Sequence, residues 1–243
     1  MATKIPAAVA AIAPDGNLTA RQRRHLLISI AKRRVKPGTG SSIDFMRRRT
    51  AMEQWPDLRE ILKGIPWVVV GGVATRAYMP ERKTLDMDIL VHIRDGAEAV
   101  ERLQSAGYSI VSPLVVPGYL TRSPRGIELD VIFGKEPWVR EALATPTLDP
   151  ARYPTIALPY LVLMKLKANR GKDVGDMSTM LGLASPEERN QVRRVVAKYS
   201  PEDLDDLESL IFLGEKELEM PPPRARNKKA TQRKKKNGKT KRE

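Results

Sequence analysis

The 243-residue chain has no cysteine, two histidines and only 5% aromatic residues. Without thiols it can form neither a disulfide framework nor a thiolate zinc site, and two imidazoles offer little to a histidine-based metal centre. Any metal must be held by oxygen. Long apolar runs are also lacking: none approaches the roughly 18 residues that span a bilayer. The stretch Ala7 to Ala13 is too short and too alanine-rich for a signal peptide. The expected setting is therefore cytoplasmic, with no membrane partner. Residues of 41% apolar character still suffice for a core of one large domain or two modest ones.

Charge is abundant and unevenly placed. Residues 224–243 hold 11 Lys and Arg against one Glu, a charge of +10, and residues 19–49 hold 10 against Asp44 alone, a charge of +9. With a total of +14, residues 50–223 carry −5. An acidic middle is thus bracketed by two basic arms, which suit a polyanion such as RNA. The tail lacks aromatics to stack bases, so solubility or non-specific nucleic-acid association is the plainer use for it.

The pattern divides the chain into a flexible lead-in (1–18), basic N-terminal helices (19–63), an α/β core (64–157), a helical half (158–220) and a disordered Lys/Arg-rich tail (221–243). Thr19 is placed to cap a helix running to about Val35, mostly solvated, with Leu26, Leu27 and Ile30 as a thin apolar stripe. A second helix from Asp44 bends at Pro56 and resumes through Leu58, Ile61 and Leu62. Helices are expected over Gly96–Ala106, Asp173–Leu181, Glu187–Tyr199 and Glu202–Phe212. Another is opened by Pro159 and ended near Gly171. Residues Tyr108–Val116 and Gly118–Thr121 read as extended, Ser123–Gly126 as a turn, and 146–159 as a Pro-rich connection.

The central stretch is Trp67 to Ile93. Val68, Val69 and Val70 read as a buried strand, Gly71 and Gly72 permit a tight turn with close backbone approach, and Val73 to Tyr78 reads as a short helix. The first N–H groups of that helix would face outward as an anion site. From Asp86 to Ile93 the residues alternate, so Met87, Ile89, Val91 and Ile93 share one strand face and Asp86, Asp88, Leu90 and His92 the other. A further strand, Ile127 to Phe133, places Asp130 and Glu128 on one face. An ionised carboxylate in a strand interior wants a cation, a hydrogen-bond partner or solvent. Paired aspartates beside a glycine turn suit Mg²⁺ or Mn²⁺, and a third carboxylate would allow two ions roughly 4 Å apart, the arrangement used for in-line displacement at phosphorus.

At Gly71-Gly72, Asp86-Met87-Asp88 and Asp130 the chain resembles the nucleotidyltransferase superfamily. The segment from Leu158 through Lys165, Lys167, Ala168, Arg170 and Asp173 to Asp176 is similar in pattern to AbiEii-type toxin nucleotidyltransferases. The similarity covers about residues 60–185. It implies an α/β (α+β) fold, with a small mixed β-sheet followed by a helical C-terminal half. It also implies transfer of NMP from an NTP to an acceptor hydroxyl. Carried over by position, Gly71 and Gly72 contact the triphosphate, Asp86 and Asp88 hold the metal, and Asp130 completes that site and helps deprotonate the hydroxyl. Lys165 or Lys167 neutralises the triphosphate, while Asp173 and Asp176 match family acidic positions of less defined role. Many members have Ser after the first Gly; here Gly72 leaves that contact to backbone or to Thr75.

The resemblance and the basic arms together point to an RNA 3′ end, tRNA in particular, and to a toxin with an antitoxin partner. A protein or antibiotic hydroxyl is the alternative acceptor. In another class are a catalytically silent nucleic-acid-binding module and a partner-binding antitoxin. Each residue also has a plainer reading. Asp130 could pair with Arg122 or Arg125, Lys165 and Lys167 could line a solvated helix face, and Asp173 could cap the following helix. Arg76, Arg82 and Lys83 lie near enough in sequence to support phosphate binding, though an exposed loop suffices for them. His92 reads as a structural hydrogen-bonder, and His25 needs no special role.

Overall fold

A valine run makes the spine of the sheet. In the computed structural model, which describes residues 5–37, 55–80 and 84–219, strand β1 (Trp67–Val70) is buried along its whole length. Its β-branched side chains suit a pleat covered on both faces. Strand β2 (Asp86–His92) runs antiparallel to it, with Val70 opposite Asp88. Helix α3 (Gly96–Ser105) and the hairpin of β3 (Ser109–Pro113) and β4 (Gly118–Arg122) lead to β5 (Glu128–Gly134). That strand lies parallel to β2, in register from Asp86 opposite Glu128 to His92 opposite Gly134. The full order is β3-β4-β5-β2-β1-β7-β6, a mixed seven-stranded sheet.

Two of those strands lie in the segment expected to be a plain connection. After α4 (Pro137–Ala144), the short β6 (Thr147–Leu148) and β7 (Pro154–Thr155) add to the sheet beside β1. They are too short to show a period in sequence, and a proline at the start of β7 masks the signal further. The glycine turn leads into a single α-helical turn, α2 (Gly71–Ala74), continued by a 3₁₀ turn over Thr75–Ala77, rather than the helix expected from Val73 to Tyr78.

The C-terminal half is helical: α5 (Leu158–Ala168), α6 (Gly171–Leu183), α7 (Pro186–Tyr199) and α8 (Leu204–Leu218), the last preceded by a 3₁₀ turn at Pro201–Asp203. Gly171 opens α6 instead of ending α5; α5 ends at Asn169, whose left-handed φ of 57° closes the helix as a glycine would. Helices α6 and α8 meet at backbone contact. A Cβ on Gly214 would lie 2.0 Å from the Ser178 carbonyl oxygen, and one on Gly182 would lie 2.6 Å from the Gly214 carbonyl oxygen. The Gly214→Ala variant should therefore lose on the order of 2–3 kcal/mol, a fall in Tm of about 5–10 °C. Gly175→Ala in the same helix α6, where nothing lies within 4 Å of the added carbon, should gain about 0.5–1 kcal/mol from helix propensity. Thermal melting of both variants checks the contrast.

Helix α1 (Ala20–Arg34) is held by a reciprocal cap, Thr19 Oγ1 accepting from the Gln22 N–H at 3.3 Å and Gln22 Oε1 from the Thr19 N–H at 2.9 Å. It is less solvated than its composition suggests. Arg24 and Ile28 are buried, while Leu27 of the expected stripe is exposed. Arg24 donates to Asp206 at 2.8 Å, to the Leu166 carbonyl at 2.5 Å and to Asp203, so its charge is neutralised inside the helical half. Arg21, Arg23, Lys32, Arg33 and Arg34 remain exposed. Around Leu58 to Leu62, where a helix was expected to resume, the chain forms turns with one helical bond, from the Leu62 N–H to the Leu58 carbonyl. The helix expected from Asp44 and the tail 221–243 lie outside the described residues. Among the described residues no helix is long and apolar enough to cross a membrane.

Candidate active site

Strand alternation and sheet register together build the site. Met87, Ile89 and Val91 are fully buried on one face of β2, which turns Asp86 and Asp88 to the other. Because β5 is parallel and unshifted, Asp130 stands directly beside Asp88. Asp86, Asp88 and Asp130 each offer a carboxylate oxygen within 4.8 Å of the others. Thr84 Oγ1 donates to Asp86 Oδ1 at 2.8 Å.

The glycine turn presses against this cluster. Gly71 has φ +66°, and a Cβ there would lie 1.9 Å from Asp88 Oδ2. Only glycine meets both requirements. The Gly72 N–H, expected to face an outside anion, acts on the Asp88 carboxyl, whose proton affinity it lowers. Thr75 is buried and donates its hydroxyl to the Gly72 carbonyl at 2.7 Å, within the turn.

Crowding sets the electrostatics. Burial first, and then the charges of Asp86 and Asp130, push Asp88 up to about 6 against the pull of Arg170 and of the Gly72 N–H. Asp130 is raised too, by burial and then by Asp86 and Glu128. Arg122, one of two arginines that could have paired with Asp130, instead meets Glu128 at 2.9 Å. An all-carboxylate set whose members repel one another fits a hard divalent cation, which relieves the repulsion and accepts oxygen ligands alone.

The other expected residues are placed differently. Lys165 is buried, its Nζ 2.9 Å from Asp173 Oδ1 and 2.7 Å from Asp176 Oδ2. Its charge is committed to those two carboxylates. Lys167 is exposed, and its charge bears on Glu202. Arg76 pairs with Asp149, its Nε 2.5 Å from Oδ2, and lies over the Tyr153 ring. Lys83 and Arg82 lie outside the described residues.

A residue without an assigned role in sequence stands closer to the chemistry. Arg170 precedes α6 with its side chain half exposed. Its Nε–H and backbone N–H donate to Asp173 Oδ2 at 2.9 and 3.2 Å, so Asp173, expected to cap the helix itself, lies in its first turn and bonds back to the cap residue Arg170. Its charge also acts on Asp88. Burial opposes the charge on Asp173, but hydrogen bonds from Arg170 and Lys165 outweigh it and hold that carboxyl below its usual range. The sequence signal was an arginine at the helix start with an acid three residues on, a spacing that fixes a cap and leaves the direction of the guanidinium undetermined.

No protein-family model matches the chain, and no curated protein sequence matches it. Among solved structures, the antibiotic-resistance factor ANT(2'')-Ia is similar at 16% identity over 63% of this chain and 87% of that chain, with a TM-score of 0.38. A Thermotoga maritima protein described as a nucleotidyltransferase is similar at 14% identity, covering 49% of this chain and 86% of its own, with a TM-score of 0.37. Cid1 in complex with a UTP analogue gives 16% identity over 75% of this chain and 49% of its own, with a TM-score of 0.28. At such identities and scores these likenesses assign nothing to this chain, and its own residues must carry the functional reading.

Proposed function

We propose that the chain is a nucleotidyltransferase that moves NMP from an NTP to an acceptor hydroxyl, with an RNA 3′ end as the acceptor. The observation that carries this reading is the convergence of Asp86, Asp88 and Asp130 beside Gly71-Gly72. Those three residues would hold Mg²⁺ or Mn²⁺. A divalent cation there neutralises the carboxylates and the phosphates of the nucleotide.

The chain's own groups divide the remaining work. The side-chain-free turn at Gly71-Gly72 leaves Asp88 its room and adds no bulk between the carboxylates and the phosphates. Asp130, whose raised proton affinity suits a base, takes the proton of the acceptor hydroxyl as its oxygen bonds to the α-phosphorus. The bond to the leaving pyrophosphate breaks in line. Arg170, half exposed and held by Asp173, offers its guanidinium to the charge that develops on the phosphates. RNA as acceptor is supported by the exposed Arg21, Arg23, Arg33 and Arg34 of α1 and by the charge of the two arms. The toxin role follows from the AbiEii resemblance and belongs to the same reading.

Incubation with labelled NTPs and separate pools of RNA, protein and aminoglycoside tests this. Divalent-ion-dependent label at RNA 3′ ends is expected. Label in another pool would overturn the acceptor and leave the transfer standing; no label in any pool would overturn the transfer.

A further inference from the structure

At the far end of β2 from the carboxylates lies a pocket that the proposed chemistry leaves unused. Asp86 and His92 are the first and last residues of the strand, about 20 Å apart at 3.3 Å per residue. Around His92 the surface opens into a pocket of about 320 Å³ lined by Pro66, His92, Arg94, Asp95, Arg140 and the end of α4. Its size is at the lower end of the range of small-ligand sites.

The pocket has donors in excess. The Arg94 backbone N–H points to His92 Nδ1 at 3.3 Å, and the Arg140 Nε–H points to His92 Nε2 at 3.5 Å. In every protonation state at least one imidazole nitrogen carries a hydrogen of its own, so at least one of these contacts sets N–H against N–H. Among the described residues, the guanidinium groups of Arg94 and Arg140 make no ion pair, although Asp95 shares the pocket. Arg24, Arg76, Arg122, Arg170 and Arg193 are each matched to a carboxylate, while the exposed arginines of α1, like Arg94 and Arg140, show no ion pair among the described residues. Two positive charges, one negative charge and an imidazole N–H with no acceptor among the described residues line one concavity.

We infer that this pocket binds a phosphate group, contributed either by a nucleic-acid backbone or by free phosphate. An anion there accepts from both guanidinium groups, that of Arg140 turning from His92 to meet it, and from an imidazole N–H. The single charge of a phosphodiester is then balanced without displacing Asp95.

The two histidines of the chain, His25 and His92, give two pairs of imidazole ¹⁵N signals, Nδ1 and Nε2 of each, in which exposed His25 serves as the control. Titration of the full chain with inorganic phosphate should shift His92 saturably and leave His25 nearly unmoved, with chloride at equal ionic strength doing neither. In the Arg94→Gln/Arg140→Gln variant, both sites exposed and the melting temperature expected to be unchanged, the apparent affinity should fall by about tenfold or more. A shift that does not saturate, that moves both histidines equally, that chloride reproduces or that persists in the variant overturns the inference. A short RNA strand that produces the same variant-sensitive shift identifies nucleic acid as the source; phosphate binding without an RNA response identifies the free anion.

Discussion

Asp88→Asn is expected to abolish nucleotide transfer, by about 10³-fold or more, while the ion-free protein melts no lower than wild type. The side chain keeps its shape beside Gly71, where a Cβ on the glycine would lie 1.9 Å from Asp88 Oδ2. The substitution removes one of three mutually repelling carboxylates, and with it the ability to hold a divalent ion. The paired measurement is therefore thermal melting with and without Mg²⁺. At roughly ten times its Kd the ion should stabilise wild type by about 1.4 kcal/mol, some 3–5 °C in a chain of this size, and should leave Asp88→Asn unmoved. Full transfer by the variant, or an equal Mg²⁺ shift in both proteins, would remove Asp88 from the site.

Lys165→Met should cost about 3–5 kcal/mol, lowering Tm by roughly 6–20 °C. The ammonium lies between Asp173 and Asp176 with 2% of its side chain exposed, and its removal takes the shared cation from two buried carboxylates, of which Asp173 keeps Arg170. Because the hydrogen bonds hold Asp173 below the usual carboxyl range, the stability they confer is present at neutral pH and lost as pH falls below that range. Adding Asp173→Asn and Asp176→Asn to Lys165→Met should restore much of the loss, since neutral groups no longer need the cation. A lysine serving only to grip phosphate would leave the melting temperature of the single variant near that of wild type, which would refute the structural role.

These two residues mark the boundary of what sequence alone conveys. Asp86, Asp88 and Asp130 were readable because strand alternation has a strict period of two, and a local pattern fixes which face each side chain takes. The helical half was readable from its own start and stop signals, whereas the mixed sheet was implied by the family resemblance. Lys165 was not, because its partners lie 8 and 11 residues away across the break at Asn169, and the turn between the helices decides whether they meet. Distance in sequence defeated the reading of two arginines as well. Arg76 finds Asp149 73 residues away, and Arg24 finds Asp206 182 residues away. Both looked like surface or phosphate-facing cations because a sequence displays a charge without displaying the acid that neutralises it.

The unshifted pairing of Asp88 with Asp130 also dictates when the site comes into being. The two strands are joined through α3 and the β3–β4 hairpin, so their contact is non-local and must pay loop-closure entropy before it forms. Until that closure the chain has two carboxylates on one strand and a third elsewhere, and nothing gathers them. Once the strands pair, repulsion among the three carboxylates opposes the pairing. An ion held by all three is expected to act on the completed pair and to slow unfolding more than it speeds folding, which unfolding rates with and without Mg²⁺ would check. The proposed metal site would then serve as a kinetic latch on the strand pair that creates it.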